Sequence, residues 1–122
     1  MKTGIMRRAE AEKGTITESW GSLSWLASRK AGNAEGITLG RVVIRAGMAN
    51  PRHRHMSGEE VLHLLSGRLE HSLGGEKVVL EAGDTLVIPA GVVHNATSTG
   101  GGDAEMVVAY PTGTRDFEPE KP

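Results

Sequence analysis

A chain of 122 residues is the size of one domain, and its lack of cysteine excludes a disulfide framework and any thiolate metal site. The net charge of −1, spread as scattered acidic and basic residues, offers neither the basic stripe of a nucleic-acid binder nor a polybasic membrane anchor. No apolar run approaches the roughly 18 residues needed to cross a bilayer, and the charged start from Met1 to Lys13 lacks the apolar centre of a signal peptide. A cytoplasmic protein with a small-molecule partner is the expectation.

Residues 6–13 read as a helical turn or a loose arm. Short β-rich runs follow at 15–20, 22–27, 37–46, 60–66, 68–73, 77–80, 85–88, 94–98 and 105–110, with glycines between them supplying turn conformations. Hairpins are expected at Ser66-Gly67, Gly74-Gly75, Ala82-Gly83-Asp84 and Gly100-Gly101-Gly102. Nine short strands in one open sheet would leave long exposed edges, so an all-β fold of two packed sheets or a rolled barrel is predicted. Trp20 and Trp25 sit on adjacent early strands and read first as packing residues, secondly as pocket lining. Arg41 and Arg45 flank Val43 on one strand face, which is solvated or meets an anionic substrate. The tail 111–122 holds three prolines and is expected to be largely irregular.

The chemistry concentrates in two segments. His53 and His55 are two apart in extended chain, so alternation puts both imidazoles on one face. Two imidazoles and a carboxylate suit a first-row divalent metal, and Glu59 and Glu60 both lie within reach. His94 follows the turn Pro89-Ala90-Gly91, where a neighbouring strand can deliver it as a further ligand. His71 shares a face with Leu69 and Leu73 and is a candidate for the pocket wall. His63 has the opposite parity from Glu60 and should face away.

These two segments resemble the two motifs of the cupin superfamily. Gly47, five residues, His53-Arg54-His55, four residues, Glu60, six residues, Gly67 matches the first, and its spacing selects Glu60 over Glu59. Gly83, five residues, Pro89-Ala90-Gly91, two residues, His94 matches the second, although Ser98 stands where that motif usually closes with Asn. The resemblance implies a jelly-roll barrel, the double-stranded β-helix, with its core over residues 37–110, an N-terminal arm and strands over 1–36 and a tail over 111–122. It also implies one Fe, Mn, Ni, Co or Zn ion on His53, His55, Glu60 and His94. The closing run from Tyr110 to Phe117 resembles that of small cupins from pectin degradation that open unsaturated uronate rings, departing from them at Val108, where that group carries an acidic residue. Tyr110, Arg115 and Asp116 are therefore placed at the pocket rim, and His71, Arg41, Tyr110 and Arg115 are the candidate substrate contacts.

An open coordination position would make the protein a metal-dependent enzyme acting on a small oxygenated substrate, by Lewis-acid isomerase or lyase chemistry or by dioxygen chemistry. The alternative is a non-catalytic metal-dependent binding or sensing module. If Glu60, Leu62 and Leu64 point inward, then Val61, His63 and Leu65 point outward, and two aliphatic residues there call for a cover. A second copy in a homodimer is the expected cover, with the N-terminal segment as the other possibility.

Overall fold

The computed structural model describes residues 4–122, so the first three residues of the expected N-terminal arm lie outside the described residues. A short helix α1 (Arg8–Lys13) precedes eleven strands: β1 (Ile16–Glu18), β2 (Gly21–Ala27), β3 (Thr38–Ile44), β4 (His53–Arg54), β5 (Glu60–Ser66), β6 (Arg68–Leu73), β7 (Glu76–Glu81), β8 (Thr85–Ile88), β9 (His94–Ser98), β10 (Ala104–Tyr110) and β11 (Glu118–Pro119). They form two antiparallel sheets, one ordered β1-β2-β3-β10-β5-β8 and the other β11-β4-β9-β6-β7. All nine expected strands are present. Two short ones, β4 and β11, were not foreseen, and they pair with each other at Arg54 and Glu118, so the tail is regular where it meets the barrel.

Strict alternation builds the core. Along β10 every second residue is buried, and β5 buries Glu60, Leu62 and Leu64 while leaving Val61 and Leu65 exposed. Ile44, Leu64, Leu69, Ala104 and Met106 from both sheets are almost completely buried, the four larger side chains each contributing about 1.5–3 kcal/mol.

Of the four joints expected to be hairpins, only Gly74-Gly75 is one, linking the paired strands β6 and β7. The other three carry the chain from one sheet to the other, since β5 and β6, β7 and β8, and β9 and β10 lie in different sheets. A glycine-rich turn signal marks a sharp reversal of backbone direction but does not specify whether the flanking strands then pair. Gly67 shows the demand at such a corner: its φ is 85°, and a Cβ there would stand 2.6 Å from the Asp103 carbonyl oxygen. The N-terminal segment runs along β2, where Thr15 and Ser24 share a hydrogen bond, and it leaves Val61 and Leu65 40% and 47% exposed. Among the described residues it is therefore not the cover for that face.

Candidate metal centre

His53, His55, Glu60 and His94 are all buried, and one ligand atom from each lies within 4.8 Å of the others. Each reaches this point by a different route. β4 pairs with β9 so that His53 sits directly opposite His94, while Glu60, the first residue of β5, comes from the facing sheet. The site thus spans both sheets at one end of the barrel. Glu59 is exposed, as its parity requires.

The histidine tautomers follow from their hydrogen bonds. Nδ1 of His53 donates to the Pro51 carbonyl at 2.7 Å, that of His94 to Val92 at 2.9 Å and that of His55 to Asp116 at 2.6 Å. A carbonyl only accepts, so each Nδ1 carries the proton and each Nε2 presents a lone pair. Nε2 of His55 and of His94 lie 3.1 Å and 3.3 Å from Glu60 Oε1, yet none of these three buried atoms makes a hydrogen bond. Donors sharing one ion at bonds of about 2.1 Å stand about 3 to 3.4 Å apart. The orphaned atoms and their spacing therefore fit a divalent metal, and His₃Glu is the hard-to-borderline donor set such an ion takes.

Electrostatics agree. Burial lowers His53 to about 4 against the usual 6.5, so its ring is neutral near pH 7.

A cavity of about 280 Å³, at the small end of ligand pockets, opens beside His53, Glu60 and His94. Val42, Leu62, Met106 and Val108 form its apolar wall, and His71, Tyr110 and Arg115 add polar groups. His71 is 1% exposed, stacks on His94 with ring centroids 5.7 Å apart, and leaves its Nδ1 without a partner; burial holds it at about 4. Burial, with the nearby Glu60 charge, raises the Tyr110 hydroxyl, which stays protonated and able to donate. The Arg115 guanidinium lies over the rings of Trp25, Tyr110 and Phe117 at 4.9, 5.4 and 5.3 Å, with its buried Nε unpaired. Trp20 lines the cavity as well, whereas Trp25 supports Arg115.

Arg41 is placed elsewhere. Alternation along β3 puts Val42 inside and Arg41 outside, where its Nε donates to Glu105 at 2.8 Å on the barrel exterior. Sequence reasoning also missed Phe117 as a partner of the site: it stacks on His53 at 4.6 Å. Its signals in the sequence were aromatic scarcity and its place at the end of the closing run from Tyr110.

A model of the cupin domain matches residues 40–110, more than half of the chain. The chain belongs to the cupin family. This cupin is 35% identical over 83 residues to germin-like protein 3-8 of Oryza sativa subsp. japonica, a match covering 64% of the chain and 37% of that protein. Among solved structures, an oxalate oxidase superposes with a TM-score of 0.76 at 25% identity, covering 84% of this chain and 56% of that one. Bacillus subtilis oxalate decarboxylase, studied for its Mn(II) centers, superposes with a TM-score of 0.82 at 16% identity, covering 88% and 30%, which shows the shared fold. The cupin spans less than half the length of the curated relatives it matches.

The buried imidazoles set an expectation for the metal-free protein. The unfolded chain takes up protons at His53 and His71 near pH 6.5, whereas the folded state resists them until about 4. Stability is therefore full above about 6.5 and falls as the pH drops towards about 4. Thermal melts in chelator across this range check it, and His71→Gln should flatten the upper part of the decline. A melting temperature constant between pH 7 and 4 would contradict the expectation.

Proposed function

We propose that this cupin is an enzyme that uses one divalent transition metal, held by His53, His55, Glu60 and His94, to transform a small oxygenated substrate. The carrying observation is the convergence of three imidazoles and one carboxylate beside a small cavity, with Nε2 of His55 and of His94 and Oε1 of Glu60 buried and without hydrogen bonds. The ion, when bound, supplies Lewis acidity or, if it is redox-active, access to dioxygen chemistry. Mn joins Fe, Ni, Co and Zn as a candidate with added support from the Mn(II) centers of the oxalate decarboxylase that shares the fold.

The chain's own groups complete the site. Arg115 offers an unpaired donor from a position fixed by three aromatic rings, which suits a carboxylate on the substrate. The protonated Tyr110 hydroxyl and the neutral His71 ring supply further hydrogen bonds to substrate oxygens. The apolar wall and the cavity of about 280 Å³ suit a small substrate. Oxalate oxidase and oxalate decarboxylase, both named for a small dicarboxylate, give this class its support among relatives.

The test is a screen of small carboxylates, oxalate included, with metal-loaded protein in air and without oxygen. Turnover only in air selects the oxygen-dependent class, turnover in both selects isomerase or lyase chemistry, and tight binding without turnover selects a binding module. Arg115→Ala should lower kcat/KM roughly 10- to 100-fold, the worth of a charged hydrogen bond, mostly through KM. An unchanged kcat/KM would remove Arg115 from the substrate site.

The exposed Val61, Leu65 and Val87 on β5 and the edge strand β8 support a homodimer through this outer face. Among the described residues no helix is long and apolar enough to cross a membrane.

A further inference from the structure

Two of the three histidines are oriented locally, each by the carbonyl two residues before it, in Pro51 for His53 and Val92 for His94. His55 is different. Its Nδ1 donates to the carbonyl of Asp116, 61 residues away, in the segment that follows β10.

That segment makes a second set of bonds to the same stretch of chain. The Asp116 carboxylate accepts from the backbone N–H of Met56 at 2.6 Å and of Ser57 at 3.0 Å, and from the Ser57 hydroxyl. Met56 and Ser57 lie between His55 and Glu60, so one side chain holds the loop joining two ligands while its own carbonyl aims one of them. The contacts on either side follow the same line. Pro111 packs so closely on Gly58 that a Cβ there would stand 2.6 Å from its Cγ. Phe117 stacks on His53, and β11 pairs with β4 immediately beyond.

We propose that residues 111–119 form a strap that is part of the metal centre, with Asp116 as the positioning residue that sets the ring of His55 and the loop carrying Glu60. The inference rests on the four-ligand reading of the site. With the carboxylate gone, the Met56 and Ser57 N–H groups lose their acceptors, the strap carbonyl loses its anchor, and the His55 ring is free to rotate away from the shared point. Linkage requires the converse: metal bound at His55 and Glu60 must tighten the strap.

The probe is Mn(II) alone. Asp116→Ala should weaken Mn(II) affinity by roughly 10- to 100-fold, the usual cost of losing a partner behind a metal-bound imidazole. It should also alter the Mn(II) electron paramagnetic resonance spectrum at saturating metal, a change that a purely stabilising contact would not cause. Asp116→Asn, which keeps one acceptor oxygen, should fall between. Glu81→Gln removes only the exposed Arg68–Glu81 pair, outside the strap, and should leave affinity and spectrum unchanged. In the unmutated protein, Mn(II) should slow hydrogen exchange at the Met56 and Ser57 amides, a measurement that stands even if Asp116→Ala does not fold. Affinity and spectrum unchanged in a folded Asp116→Ala, or exchange at those amides indifferent to Mn(II), would overturn the strap while leaving the four ligands intact. Failure of the unmutated protein to bind Mn(II), Fe(II), Co(II), Ni(II) or Zn(II) would overturn the ligand reading and the strap together.

Discussion

Replacing His53, His55 or His94 with alanine is expected to leave a folded barrel that has lost most of its metal. Each imidazole supplies one of four donors, so its removal should cost more than the roughly 100-fold that loss of a supporting hydrogen-bond partner costs. The fold should survive because its core lies elsewhere, in Ile44, Leu64, Leu69, Ala104 and Met106. In the free site, moreover, Nε2 of His55 and of His94 and Oε1 of Glu60 are buried without hydrogen bonds, which opposes stability, so removing one of these two rings relieves part of that cost. Metal per chain by X-ray fluorescence and far-ultraviolet circular dichroism decide the matter. Metal at the unmutated level in all three variants would end the four-ligand assignment. Loss of the fold would mean that the ion is structural, its binding energy being folding energy.

A second large effect is expected at the outer face of β5. Val61→Glu or Leu65→Glu should convert a dimeric protein to monomers across micromolar concentrations, read by sedimentation or light scattering. Val61 and Leu65 are 40% and 47% exposed, and Val61 lies beside Val87 of β8, so aliphatic side chains from two strands meet solvent together. In a two-fold interface each substitution places two carboxylates in one apolar contact, where desolvation without a partner costs several kcal/mol. Both residues point away from the cavity, so metal content should stay at the unmutated level. An unmutated protein that is monomeric at every accessible concentration would rule out the dimer, and the N-terminal segment would remain excluded as the cover by its place along β2.

Much of the fold was legible from local pattern. The β5 sequence Glu-Val-Leu-His-Leu-Leu-Ser already states its two faces, and the structure buries Glu60, Leu62 and Leu64 as alternation requires. Gly47, Gly67, Gly83 and Gly91, which punctuate the two motifs, all adopt positive φ, a demand that few other residues meet. Other features were not legible. Turn glycines looked the same at a hairpin and at a crossing between sheets, because the choice depends on which distant strand each partner finds. β4 and β11, two residues each, carry no periodicity; they exist because each completes the other's backbone hydrogen bonds.

By itself, then, the sequence determined the all-β class, the inward parity of Glu60 and the two histidine-bearing segments, since each follows from spacing along a single strand or turn. Tertiary structure decided how the groups around the site are brought together. It set His53 opposite His94 across two strands, brought Glu60 in from the facing sheet, turned Arg41 out to Glu105 and drew Arg115 in among three rings. It also laid Asp116 against the loop between His55 and Glu60. Contacts between residues some 60 positions apart are fixed by the packing of whole sheets, and no local pattern encodes them.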